Sequence, residues 1–240
     1  MLVPSEEDEF VSAPGRPLGL KVQKIEAAVF LFLVVPSMIF SFYSSRQAGL
    51  SFALMASGTI LRDLALVSLI FYFLWRNAEP VDWIGWRFDR FGREAALGVA
   101  LFIPFFFGAA LLGSALQEAG LSAPSTPPTA FLPERTAGQM LLALALVIVV
   151  AVAEETIFRG YLLLRFTAIT RNPTVSLFLS SAIFALGHGY QGTAGVVTVG
   201  VMGFVFGLVY FWRRSLVAPM VMHFLQDLTA IFLLLFFDLK

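Results

Sequence analysis

The sequence predicts an all-α, polytopic membrane protein of about seven to eight transmembrane helices with a polar intramembrane site. Three observations carry this expectation. The 240 residues are 58% hydrophobic and 13% charged, against roughly 45–50% apolar and about 25% charged in an ordinary soluble domain. Several mostly apolar runs reach about 18 residues or more, the length that crosses a bilayer. Inside one of these runs, between the uncharged stretch 140–152 and the apolar stretch 161–164, stand Glu154, Glu155 and Arg159. An ionisable side chain at membrane depth is costly unless it is paired or wetted, so a cluster of three marks a candidate site.

In chain order, residues 1–20 are polar, carry the acidic run Glu6-Glu7-Asp8-Glu9, and read as a mobile tail. An acidic start with no short apolar stretch directly behind it is not a signal peptide. Residues 21–240 are expected to form a single membrane-embedded domain. The first span covers about 25–43 and the second about 52–75, the latter interrupted by Arg62-Asp63. Neighbours on a helix point about 100° apart, so these two need different partners. The favoured reading is snorkelling near one interface. A polar connection, 76–94, holds Trp83 and Trp86 as interfacial anchors. The third span covers about 95–116, with Pro104 placed to kink it.

Residues 120–135, rich in Pro, Ser and Thr, form an aqueous loop. The fourth span starts near 138 and runs through the Glu-Glu stretch to about 166, because apolar periodicity persists at Ile157, Phe158, Tyr161, Leu162 and Leu164. The stretch 138–171 also has room for an extra half-buried helix. Asn172-Pro173 breaks the chain. The fifth span covers about 174–188, followed by a glycine-rich turn, 187–195. The sixth covers about 194–212, with Gly203 and Gly207 at a spacing that favours close helix packing. The last covers about 216–237.

Charge orients the bundle. With seven spans and the N-terminus inside, the inner segments hold eleven Lys and Arg residues and the outer segments three, leaving Arg62 and Arg159 within spans. The positive-inside rule favours a cytoplasmic N-terminus and an outer C-terminus. A formal net charge of zero gives no footprint for nucleic acid. The absence of cysteine excludes disulfides, thiol nucleophiles and Cys-based metal sites.

Depth then ties distant residues together. At about 1.5 Å per residue, Glu154 lies roughly 18 Å from the inner end of its helix and His188 roughly 22 Å in. His223 and Asp227 lie roughly 10 and 17 Å in. His188 and His223, which are the two histidines of the chain, can therefore meet two glutamates and an aspartate in one layer. Glu155 and Arg159, four apart with the acid first, suit a helical ion pair. Glu154 is left without a local cation. His223 and Asp227, also four apart, let the carboxylate orient the imidazole.

Glu154-Glu155-x-x-x-Arg159, Phe184-x-x-x-His188 and His223-x-x-x-Asp227 resemble the three signature motifs of the CPBP family, the type II CAAX prenyl endopeptidases and bacteriocin-processing or Abi proteins. Each motif alone is weak, but their order, spacing and placement in spans agree over roughly residues 80–235. The resemblance implies an intramembrane endopeptidase, integral to a prokaryotic plasma membrane, acting on a membrane-associated protein or peptide substrate. It implies that Glu154 and His188 activate a water, that Glu155 pairs structurally with Arg159, and that His223 and Asp227 stabilise the oxyanion. Many members carry Asn where this chain has Asp227. An ionised Asp cannot donate a hydrogen bond, so Asp227 is either protonated or only orients His223. No cofactor is expected. One alternative keeps the site but places zinc on Glu154, His188 and His223. Another is a non-enzymatic membrane immunity or scaffold protein.

Overall fold

The computed structural model describes residues 18–44, 51–124 and 132–236, with backbone alone for 40–44 and 232–236. Most of the expected tail, the middle of the 120–135 loop, Arg46 and Lys240 lie outside the described residues. Helix α1 spans Leu20–Ser44, α2 Phe52–Arg76, α3 Phe91–Glu118 and α4 Ala137–Glu154. A π-helical segment, Glu155–Leu162, continues α4 directly into α5, Leu163–Thr170. Helix α6 spans Pro173–Leu186, α7 Gly192–Arg213 and α8 Val217–Phe236, with short 3-10 turns at Val81–Ile84 and Gly189–Gln191. No strand occurs among the described residues.

Five of these stretches are long and apolar enough to cross a membrane: α1, α2, α3, the α4–π–α5 rod and α7 with its preceding turn. Helices α6 and α8 supply two shorter apolar segments. The protein is an all-α, polytopic integral membrane protein. The stretch 138–171 contains no separate extra helix; it is one continuous rod.

Local sequence sets the helix starts. Ser51 and Thr136 cap α2 and α4, accepting from the amides of Leu54 and Gln139 at 3.3 and 3.4 Å. Asn172 caps α6 through the Thr174 and Val175 amides, and Pro173 occupies the first helical position. Helix α6 has only 14 residues. That is about 21 Å of rise, so it stops short of crossing a hydrocarbon core of about 30 Å. Its C-terminal end is therefore inside the bundle, which is where a buried turn can carry chemistry.

Helix α8 packs along α3 and α4, α2 along α4, and α6 along α7, while α1 lies on α5, α6 and the Gly189–Gln191 turn. The Gly203/Gly207 face of α7 lies against Phe184 and Leu177 of α6, which is how the two helices approach closely. The π segment is buried throughout and held from three sides. The Trp86 indole donates to Thr156 Oγ1 at 3.1 Å, and the Ser180 hydroxyl donates to the Phe158 carbonyl at 2.6 Å. Gly160 lies flush on the 3-10 turn, since a Cβ there would sit 2.9 Å from the Ile84 carbonyl oxygen. Trp86 is thus a support for the π segment as well as a residue of the polar connection.

Arg165, expected among the inner-face charges, is fully buried. It forms ion pairs with Glu79 and, at 3.0 Å, with Glu26 of α1, and its guanidinium lies over the Tyr161 ring at 4.9 Å. Glu26 also accepts from Arg76 at 2.7 Å and from Asn77 at 2.8 Å. This cluster fastens α1 and the end of α2 to α5. A charge buried without partners would be untenable, so these five polar side chains specify one docking of α1.

Candidate active site

The π segment sits where the sequence placed its three charges. Glu154 is the last residue of α4 and Glu155 the first of the π segment. Short π stretches inside α-helices are rare and gather at functional sites. Here the wider turn carries Glu155 and Arg159 into the bundle, both almost wholly buried, with Glu155 Oε1 3.0 Å from the Arg159 guanidinium. The guanidinium also lies 4.2 Å over the Phe184 ring and 5.5 Å over the Phe206 ring. The carboxylate and the aromatic rings offset part of the cost of burying the cation, whose Nη1 and Nη2 make no hydrogen bond among the described residues.

The same Glu155 oxygen accepts a 2.8 Å hydrogen bond from Nδ1 of His223. Glu155 therefore joins α8 to the π segment, a contact the sequence reading did not contain. That reading had Asp227 orient His223. In the structure, Asp227 Oδ2 stands 3.6 Å from the other ring nitrogen, Nε2, beyond hydrogen-bond range for direct contact. The correction has a plain cause. Four-residue spacing puts the two side chains on one face of α8, but the buried, fixed carboxylate of Glu155 takes the ring nitrogen that faces the protein. Nε2 is left toward the cavity, 3.7 Å from Glu154 Oε2 and 3.6 Å from Asp227 Oδ2.

His188 lies just past the end of α6, in the turn before Gly189–Gln191, rather than on the helix itself. Its Nδ1 donates to the Phe184 carbonyl at 3.1 Å. A carbonyl only accepts, so in neutral His188 the lone pair resides on Nε2. Phe184 thus serves three neighbours: its carbonyl holds His188, its ring carries Arg159, and the ring edge meets His223 with centroids 6.0 Å apart. This is the physical content of the Phe184-x-x-x-His188 spacing.

Glu154, His188, His223 and Asp227 all line one cavity of about 900 Å³. They come from α4, the α6–α7 turn and α8. Glu155 and Arg159 lie behind the cavity wall. Glu154 lines the cavity, and its Oε2 is buried 3.7 Å from His223 Nε2 with no hydrogen bond among the described residues.

Two lining residues were misjudged from the sequence. Asp63 of α2 is 1% exposed and belongs to the cavity wall, while Arg62 reaches back to it, with Nε donating to Asp63 Oδ1 at 2.9 Å. The interfacial snorkelling reading fails for Asp63. Adjacent positions on a helix do diverge, but the long arginine side chain spans the gap and pairs with its own neighbour. The overlooked signal was depth: Asp63 is eleven residues past Phe52, about 17 Å into its span, the same layer as the other charges.

Among the described residues no group of three or more His, Asp or Glu side chains is disposed to hold an ion. Glu154, His188 and His223 share the cavity without forming such a cluster.

No curated protein and no solved structure matches the chain. A family model described as type II CAAX prenyl endopeptidase Rce1-like matches residues 136–229, the stretch that supplies Glu154, Glu155, Arg159, His188, His223 and Asp227. The three spaced motifs, the cavity that their residues line and this match agree, and residues 136–229 are similar to the Rce1-like type II CAAX prenyl endopeptidase domain.

Proposed function

We propose that the cavity hydrolyses peptide bonds of membrane-associated polypeptides, with a water activated by Glu154 and His188. The observation that carries this reading is the convergence of Glu154, His188, His223 and Asp227 on one cavity inside an apolar bundle. Glu154 takes a proton from the water, and His188, with Nδ1 committed to the Phe184 carbonyl, accepts at Nε2 and aims the nucleophile. The water oxygen bonds to the peptide carbon. His223, its ring fixed through Nδ1 by Glu155, donates from Nε2 in its protonated form to the developing oxyanion. When the C–N bond breaks, the proton held by Glu154 passes to the leaving amine. Glu155 and Arg159 hold the ring of His223 and do not touch substrate. Asp227, 3.6 Å from His223 Nε2, acts on that nitrogen through space or through a bridging water. The domain match supports a CAAX-protease-like endopeptidase in general.

The direct test compares host membrane proteomes by terminal-peptide mass spectrometry with wild-type protein and with Glu154→Ala. New protein termini should appear with wild type and vanish with the variant. Identical terminal peptides in both would overturn the peptidase reading and favour a scaffold.

In this reading general acid–base groups supply the chemistry. Activity of purified protein is expected to survive exhaustive chelation. Loss of activity on chelation, with restoration by stoichiometric zinc, would establish the metal reading instead.

A further inference from the structure

The cavity is not symmetric across the membrane. From the Glu154–His223 layer its lining runs past Phe52 and Met55 at the start of α2, and past Gly113 and Gln117 near the end of α3. It reaches Ala123 and Pro124 in the following loop, both exposed. No described residue of the α2–α3 connection, the α5–α6 turn or the α7–α8 turn lines it. These two sets of helix ends lie on opposite faces, since α2 alone, at 25 residues, separates its ends by about 37 Å. The rim is built. The Ala194 amide donates to the Ser122 carbonyl at 2.9 Å, the Ser122 amide to Thr193 Oγ1 at 2.8 Å, and Gly192 adopts φ +74°. The loop after α3 is thereby tied to the first turn of α7, directly after the turn that carries His188.

The opposite face is basic. Lys21, Lys24, Arg87, Arg90, Arg93, Arg171 and Arg214 are exposed there. On the cavity's face, Arg135 is the exposed cation at a helix end among the described residues, and Arg62, also exposed, lies mid-span on the cavity wall. Arg76, Arg165 and Arg213, also at the basic end, are consumed by ion pairs, yet the bias persists without them. Lys and Arg flanking the spans mark the cytoplasmic side.

We infer that the cavity opens to the extracytoplasmic face, so that its substrates are exported, membrane-anchored polypeptides whose scissile bond lies in or just outside the outer leaflet. The substrate class rests on the hydrolytic reading above; the direction of the mouth does not. Polypeptide segments confined to the cytoplasm have no route to Glu154 by this path.

The chain contains no cysteine, so single cysteines report sidedness without background. Ala123→Cys marks the mouth, Thr198→Cys the cavity wall and Asp89→Cys the basic face; each variant is first checked for an unchanged size-exclusion profile in detergent. In spheroplasts, a membrane-impermeant thiol reagent should modify Ala123→Cys and Thr198→Cys and leave Asp89→Cys untouched. In inverted vesicles the pattern should reverse. Modification of Ala123→Cys only in inverted vesicles would overturn the orientation. Modification of Thr198→Cys from the Asp89 side, or from neither side, would overturn the mouth. The proteome comparison separates the two ideas. Glu154-dependent termini in exported segments support the substrate class, and such termini in cytoplasmic segments overturn it while leaving hydrolysis intact. An absence of such termini overturns hydrolysis, while the labelling still decides the direction of the mouth.

Discussion

Glu154→Gln is expected to abolish measurable cleavage while leaving the fold and thermal stability nearly unchanged. The substitution keeps the shape of the side chain and removes its capacity to take a proton. Glu154 Oε2 makes no hydrogen bond among the described residues, and its nearest charged-type contact is His223 Nε2 at 3.7 Å. No structural bond is therefore broken. A positioned general base contributes typically about 10²–10⁴-fold, which sets the expected loss in kcat. The measurement is turnover of a substrate identified from the proteome comparison, alongside a melting curve in detergent. A Glu154→Gln protein that cleaves at the wild-type rate would move the base elsewhere in the cavity, with Asp63 and Asp227 as the remaining carboxylates on its wall.

Glu155→Gln is expected to behave differently, losing stability and activity together. One oxygen of Glu155 serves both Arg159 and His223. Removing its charge leaves a guanidinium that is 2% exposed without its counter-ion, and breaking a buried pair by deleting one partner costs about 3–5 kcal/mol. It also weakens the bond that fixes the His223 ring. The double variant Glu155→Gln, Arg159→Met removes the stranded cation and should recover much of the lost stability, because replacing both partners by groups of similar volume is far less damaging. Activity should not return, since His223 still lacks its charged acceptor at Nδ1. A double-variant cycle read by thermal melting gives the coupling between the two residues. If Glu155→Gln melts with the wild type, the pair is not what holds the π segment; if the double variant regains full turnover, Glu155 has no part in orienting His223.

The contrast between these two neighbours shows what linear spacing can and cannot supply. Membrane class, the approximate spans and the break at Asn172-Pro173 follow from apolar run length and local backbone preference, which are properties of short stretches. The layer shared by Glu154, His188, His223 and Asp227 was also legible, because a helix converts residue count into depth at a fixed rise. Glu155 and Arg159 were paired on spacing, and the structure places them in contact. Asp63 was visible to the same arithmetic. It was missed because an Arg-Asp pair in an apolar run is equally the mark of a helix end, and only the packing of α2 against α4 buries it.

What only the tertiary structure decided is which groups meet across helices. The competition for His223 between Asp227, four residues away, and Glu155, sixty-eight residues away, turns on the rotation of α8 against the π segment. No local pattern records that rotation. The π segment itself depends on neighbours: Trp86 and the Ile84 carbonyl of the α2–α3 connection and Ser180 of α6 hold it. Arg165 looked like one more inner-face charge until Glu26 and Glu79 closed on it. In each case the sequence by itself determined that a charge stands at a given depth, because depth is counted along one helix. The partner that makes the charge tolerable is chosen by the azimuth of several helices at once, and that is a property of the packed bundle alone.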